Sequence, residues 1–188
     1  MALIACDVDG VVADLNKEWL RQYNRDWNDN LRNEDVTAWD LHKFAKPECG
    51  VKIYSYIRTP LIYDKVKPYP GALAFINKLK ESHKVFFVTA FVPEQKGIKY
   101  EWLLEHKFIE HLDEYVEARN KSLIRADWLI DDYYGNTKNF VGKTVLFARP
   151  WNIKYPERCL SYTEALSKIT DVEFRKEYLG EKEVLWKK

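Results

Sequence analysis

Apolar residues come in short, nearly unbroken runs along this chain, separated by longer stretches of helical spacing. Four runs stand out: LIAC (Leu3–Cys6), KVFFVTA (Lys84–Ala90), WLID (Trp128–Asp131) and KTVLFA (Lys143–Ala148). Runs of this length without strict alternation predict strands buried on both faces, as in a parallel sheet. A shorter fifth strand is expected over Glu114–Ala118.

The stretches between them carry a helical period. After Pro70 and Gly71, Leu73, Ile76 and Leu79 fall on one stripe, with Ala72 and Phe75 beside it. Ile98, Trp102 and Leu103 share one face of EQKGIKYEWLLEHK, and Thr163 stands where a capping residue would open a helix over Thr163–Ile169. Strands alternating with helices predict an α/β fold with a doubly wound parallel sheet.

One region breaks the alternation. Leu15, Trp19, Tyr23 and Trp27 recur every four residues, which predicts a helix with an aromatic stripe. Residues 28–67 then show no strand-length apolar run, yet hold Trp39, Phe44, Tyr54, Tyr56 and Tyr63. The gap is too long for a simple loop, so a small, mostly helical insertion over the strand ends is expected. The charged end, EFRKEYLGEKEVLWKK, fits either a docked helix or a frayed tail.

Composition narrows the function classes. With 30 basic against 29 acidic residues the net charge is +1, so there is no basic surplus for an extended nucleic acid. Cys6, Cys49 and Cys159 are scattered without Cys-x-x-Cys spacing, which argues against a disulfide framework or a zinc site. The first residues show an apolar segment with no basic leader, and no run has the length of a membrane span, so a cytoplasmic protein is expected.

In open α/β sheets ligands bind beyond the carboxyl ends of the strands. There this chain places Asp7 and Asp9 after the first strand, Thr89 after the second, and Asp131 and Asp132 after the WLID strand. Arg119 and Lys121 follow the short fifth candidate. Each has an ordinary alternative: an Asp-x-Asp before Gly10 as a turn, an acidic pair as a strand terminator, Thr89 satisfying backbone groups, Lys121 as a solvated charge. Together, in this order on one rim, they describe a site. Crowded carboxylates call for a shared hard cation, best Mg²⁺, with Asp131 and Asp132 completing its shell. Asp7 would then attack phosphorus, and Asp9 would protonate the leaving oxygen and later activate water. Thr89 and Lys121 would hold phosphoryl oxygens, while Gly10 lets the backbone turn toward the ligand.

The motifs DVDGVVAD, FVTA, Lys121 and LIDD resemble those of the haloacid dehalogenase superfamily of aspartate-nucleophile phosphatases. PYPGALAFINKLKESHKVFFVTA, KYEWLLEH and ARNKSLIRADWLIDD resemble, more narrowly, the 5′(3′)-deoxyribonucleotidases, from Leu3 to about Tyr155. The resemblance implies a Rossmann-like three-layer core over residues 1–14 and 68–188, and a helical, specificity-determining cap over residues 15–67. It implies Mg²⁺-dependent hydrolysis of nucleoside monophosphates through an aspartyl-phosphate intermediate. Asp7 would be nucleophile and metal ligand, and Asp9 the acid/base, giving the metal its carbonyl. Asp132 would be the second carboxylate ligand, with Asp131 supporting it. Thr89 and Lys121 would bind phosphate, and Lys99 and Arg119 fall on positions that are basic in the family. Where the family has Thr-Ser-Pro and Arg-Asp-Lys, this chain has Thr89-Ala90-Phe91 and Arg119-Asn120-Lys121; one side-chain donor is missing, and the Ala90 N–H would be the group left to contribute there.

A nucleobase stacks on aromatic rings, which makes Phe44, Trp39, Tyr54 and Tyr63 candidate base contacts and Phe91 with Val92 a candidate pocket floor. The competing expectations are a phosphatase of the same mechanism on another small ester, such as a sugar phosphate, and a catalytically idle binding module. Exposed tryptophans in cap or tail would favour a homodimer.

Overall fold

Five parallel strands form the central sheet of the computed structural model, which describes residues 1–90, 92–95 and 97–178. In chain order they are β1 (Leu3–Cys6), β2 (Lys84–Thr89), β3 (Tyr115–Glu117), β4 (Trp128–Asp131) and β5 (Lys143–Leu146). Their order across the sheet is β3-β2-β1-β4-β5, with Ile4 opposite both Val85 and Trp128. Every strand expected from the apolar runs is present, and all pairings are parallel.

Side chains alternate between two buried faces, which is why the runs read as unbroken. Ile4, Cys6, Phe87, Trp128 and Ile130 join the main core, together with helices α2 (Ala72–Lys80), α3 (Ile98–Glu105) and α5 (Tyr162–Tyr178). Ala5, Val88 and Leu129 point the other way, onto Phe140 and the loop residues Ile124 and Ala126. Helix α4 (Tyr134–Asn139) packs on this second side, against β4 and β5. Its sequence, YGNTKN, has no apolar stripe and gave no periodic signal. Thr163 does not cap α5; Ser161 does, its Oγ accepting from the Glu164 N–H at 3.1 Å while Glu164 accepts from the Leu160 N–H at 2.7 Å. The end of the charged tail, residues 179–188, lies outside the described residues.

The insertion leaves and rejoins the core through a narrow neck. Asp14 N–H donates to the Lys67 carbonyl and Tyr69 N–H to the Val12 carbonyl, both at 2.9 Å. Helix α1 (Leu15–Trp27) opens it, burying Leu15, Trp19 and Tyr23 along the expected stripe. The rest is helical in a different way from an α-helical cap. It is built of 3₁₀ turns at Asn33–Asp35, Leu41–Lys43, Gly50–Arg58 and Pro60–Ile62. Pro47, Gly50 and Pro60 interrupt any longer α-helical period, and 3₁₀ turns are what short interrupted segments form. The two halves are pinned by the Trp19 indole, whose Nε1 donates to the Ile53 carbonyl at 2.7 Å.

Candidate functional site

The order β3-β2-β1-β4-β5 reverses direction between β1 and β4, and such a reversal opens a crevice at the carboxyl ends of those two strands. Asp7 stands at the end of β1, and Asp131 and Asp132 at the end of β4. The Asp7 N–H donates to the Ile130 carbonyl at 2.8 Å, which extends the ladder and sets Asp7 beside the acidic pair at the end of β4. One carboxylate oxygen from each of Asp7, Asp131 and Asp132 lies within 4.8 Å of the others, all three residues being buried.

Lys121 is the cation set among them. Its Nζ is 2.7 Å from Asp7 Oδ1 and 2.7 Å from Asp131 Oδ2, and the residue is 2 % exposed. Burial alone would lower its pKa, but the two carboxylates more than offset this and raise it. One lysine does not neutralise three acids. Burial, with Asp131 and Asp9 adding repulsion against the opposing pull of Lys121, pushes Asp7 up to about 7. Asp132 is raised well above the carboxylate range by burial and by the charges of Asp131 and Asp7. The site therefore has an excess of buried negative charge and oxygen donors only, which fits a hard divalent cation. The three acids are not equivalent. Asp131 Oδ1 accepts from the Tyr133 N–H at 2.8 Å and Oδ2 from Lys121 and from Asn136 Nδ2 at 3.0 Å, so both its oxygens are taken by donors.

Asp9 belongs to a second cluster. Its Oδ2 accepts from Lys99 Nζ at 2.7 Å, and Lys99 also donates to Thr89 Oγ1 at 2.9 Å. Its Oδ1 accepts from the hydroxyl of Tyr63. Between Asp7 and α1 the chain turns tightly, with Gly10 at φ +73°. A Cβ there would stand 2.0 Å from Asp132 Oδ2 and 3.2 Å from the Trp151 ring. Gly10→Ala is thus expected to cost at least about 1–3 kcal/mol and to push Asp132 aside. Thermal unfolding and a Mg²⁺ titration check this: stability falls and metal-induced stabilisation is lost.

A cavity of about 270 Å³ joins these clusters, lined by Asp7, Asp9, Thr89, Ala90, Lys99, Lys121 and Asp132. The insertion contributes its apolar wall, among others Leu15, Trp19, Trp39, Leu41, Tyr54 and Ile57. Trp39 and Tyr54, both expected to meet a base, and Val92 line it; Phe44 and Arg119 do not. Phe44 packs against the core cluster and Arg119 is exposed. Tyr63 faces Asp9 rather than the cavity. Phe91 lies outside the described residues. Trp39 is 51 % exposed but packs on Tyr133, with ring centroids 4.1 Å apart and the planes tilted by 31°, and Trp186 lies outside the described residues.

Several site residues went unforeseen. Trp151 Nε1 donates to Asp132 Oδ2 at 2.9 Å, Asn152 Nδ2 to the Asp132 carbonyl at 2.8 Å, and Arg149 Nε to the Gly10 carbonyl at 2.6 Å. All three follow β5, so the strand-end rule applied to that strand as well would have found them. Gln95 is 3 % exposed and lines the cavity, and its Nε2 has no hydrogen-bond partner among the described residues. A buried amide in that state suits a polar atom of a ligand.

The chain matches, over residues 1–175, the family described as 5′ nucleotidase, deoxy (Pyrimidine), cytosolic type C protein. It is 31% identical over 147 residues to the 5′(3′)-deoxyribonucleotidase of Clostridium acetobutylicum, covering 77% of this chain and 80% of that protein. Identity to the 5′(3′)-deoxyribonucleotidase of Bacillus subtilis is 31% over 153 residues, covering 80% and 87%. Among solved structures, a haloacid dehalogenase-like hydrolase from Streptococcus pneumoniae superposes with a TM-score of 0.58 at 13% identity, covering 90% of this chain and 98% of that one. A haloacid dehalogenase-like hydrolase from Bacillus subtilis, bound to magnesium, gives 0.55 at 15% identity, covering 89% and 97%. These two likenesses establish the fold.

Proposed function

Because this chain belongs to the 5′(3′)-deoxyribonucleotidase family of haloacid dehalogenase-like hydrolases, we propose that it releases phosphate from deoxyribonucleoside monophosphates, with Asp7 as nucleophile and Asp9 as acid/base. The observation that carries this reading is the two-sided cavity. One side is a buried group of carboxylates with lysines, suited to a phosphoryl group. The other is an apolar, aromatic wall from the insertion, suited to a nucleoside.

Asp7 and Asp132 would hold Mg²⁺ together with the Asp9 carbonyl, and Asp131 would hold Lys121 in place. The oxygen-only donor set and the excess buried negative charge fit that ion. When bound it supplies the positive charge that lets an anionic phosphate approach a carboxylate. The chain's own groups do the rest. Lys121 Nζ and Thr89 Oγ1 would bind phosphoryl oxygens, with Lys99 beside them and the Ala90 N–H replacing the missing side-chain donor. Asp7 would take the phosphoryl group, Asp9 would give its proton to the departing ester oxygen, and the Asp9 carboxylate would then deprotonate water. Residues 15–67 would act as the cap that selects the nucleoside, with Trp39 and Tyr54 against the base and Gln95 meeting a polar atom of base or sugar. Residues 1–14 and 68–188 would be the catalytic core. A cytosolic location fits the family's description, and among the described residues no helix is long and apolar enough to cross a membrane.

The test is phosphate release from a panel of deoxy- and ribonucleoside monophosphates and sugar phosphates, with Mg²⁺ and with EDTA. Fastest release from deoxyribonucleotides, lost in EDTA, is expected. Equal or faster turnover of sugar phosphates would contradict the substrate, and undiminished release in EDTA would contradict the metal.

A further inference from the structure

Tyr63 comes from the insertion, just after the Pro60–Ile62 turn, yet its hydroxyl donates to Asp9 Oδ1 in the core. The residue is 3 % exposed, and its ring sits edge-on to Trp102 at 6.2 Å. Trp102 in turn donates from Nε1 to the Val66 carbonyl at 3.1 Å, so the ring has one seat between insertion and core. A buried phenol must find an acceptor, and a backbone carbonyl is the ordinary solution. Here the acceptor is the carboxylate read above as the acid/base. Tyr63 and Lys99 between them engage both of its oxygens.

We propose that Tyr63 is a positioning residue for the proton transfers of Asp9, an inference that rests on the acid/base role assigned to Asp9. In the first half-reaction the Asp7 oxygen–phosphorus bond forms, the ester oxygen–phosphorus bond breaks, and the Asp9 proton moves to the ester oxygen, which departs as an alcohol. The carboxylate left behind is aimed and stabilised by the Tyr63 hydroxyl and the Lys99 ammonium. In the second half-reaction a water oxygen bonds to phosphorus as the Asp7 oxygen–phosphorus bond breaks, releasing phosphate and the free Asp7 carboxylate, and the Asp9 carboxylate, in the same place, takes the proton of that water. Since Tyr63 stands on the insertion, Asp9 is fully oriented only while the insertion is seated on the core.

The experiment compares kcat/KM, which reports the first half-reaction, for two esters. One is the nucleotide fastest in the panel above, whose alcohol needs a proton to leave. The other is p-nitrophenyl phosphate, whose phenolate does not. Tyr63→Phe keeps the ring and its packing, and turnover of the aryl ester shows that the variant is folded. The expected result is a fall of about 10- to 100-fold on the nucleotide with less than about threefold on the aryl ester. Asp9→Asn should show the same split, larger. An Asp9→Asn split without one in Tyr63→Phe would overturn the role of Tyr63 and leave that of Asp9 standing. Equal losses on both esters in Tyr63→Phe, or no split in Asp9→Asn, would overturn the proposal. The comparison needs only an alkyl against an aryl leaving group. If no nucleotide reacts, glycerol 2-phosphate takes its place, and the substrate reading fails separately.

Discussion

Asp7→Asn is expected to abolish phosphate release and, in EDTA at pH 8, to yield a protein more stable than the wild type. The amide is no nucleophile toward phosphorus, so a loss of about 10⁴-fold or more in kcat is anticipated, in line with removal of other enzymatic nucleophiles. The gain in stability follows from the buried carboxylate. Burial foremost, with Asp131 and Asp9 nearby, pushes Asp7 from 3.8 up to about 7, so folding favours its neutral form. A shift of that size corresponds to about 4 kcal/mol as an order of magnitude. Because the folded pKa is the higher one, the favourable contribution is fully present below pH 3.8 and is lost as pH rises through about 7. Above that the wild type carries the whole penalty and the asparagine variant carries none. Denaturation in EDTA should therefore show Asp7→Asn ahead by about 2–4 kcal/mol at pH 8, with the difference shrinking toward pH 5. Adding Mg²⁺ should stabilise the wild type and reverse the order. A variant less stable than wild type at pH 8 would mean that Asp7 is held mainly as a paired anion.

Lys121→Met should have the opposite effect on the fold. The Lys121 ammonium is 2.7 Å from both Asp7 and Asp131 and has almost no contact with solvent. Methionine fills much the same volume but leaves two acids buried without their cation, a change that typically costs about 3–5 kcal/mol. The loss should ease as pH falls and Asp7 takes up a proton, which makes it largest at pH 8. Adding Asp131→Asn should recover part of it, since that removes one of the two unpaired charges. Activity should drop by about 10²–10³-fold or more, as expected when a donor to a transferring phosphoryl group is removed. Denaturant midpoints of the single and double variants decide the matter. Equal stability of the two would show that Asp131 does not depend on Lys121.

The sheet was legible because each strand is a short apolar run ended by a polar or turning residue, and because parallel strands bury both faces. Asp7, Thr89, Lys121 and Asp132 were legible for the same reason: each stands at the carboxyl end of a strand or in the loop that follows it, where the topology gathers side chains whatever their separation in the chain. The insertion was less so. Aromatic content showed that Trp39, Phe44, Tyr54 and Tyr63 pack somewhere, but packing directions in a run of 3₁₀ turns have no period to read. Tyr54 turned to the cavity, Phe44 to the core and Tyr63 to Asp9. Helix α4 escaped for want of an apolar stripe, since Thr137 and the Asn136–Asp131 hydrogen bond anchor it in place of a hydrophobic face. Trp151 and Arg149, which support Asp132 and the Gly10 turn, have no motif spacing of their own; their place after β5 is the one signal they carry.

If Asp7 is the nucleophile, the phosphoryl group passes through a covalent bond to its carboxylate. The most direct test is an acid-quenched single turnover with Mg²⁺ and ³²P-labelled deoxyribonucleoside monophosphate, followed by peptide mapping. An alkali-labile label on the peptide containing Asp7, absent from Asp7→Asn, is the expected result. Steady phosphate release with no label on that peptide, or release that persists in Asp7→Asn, would contradict it.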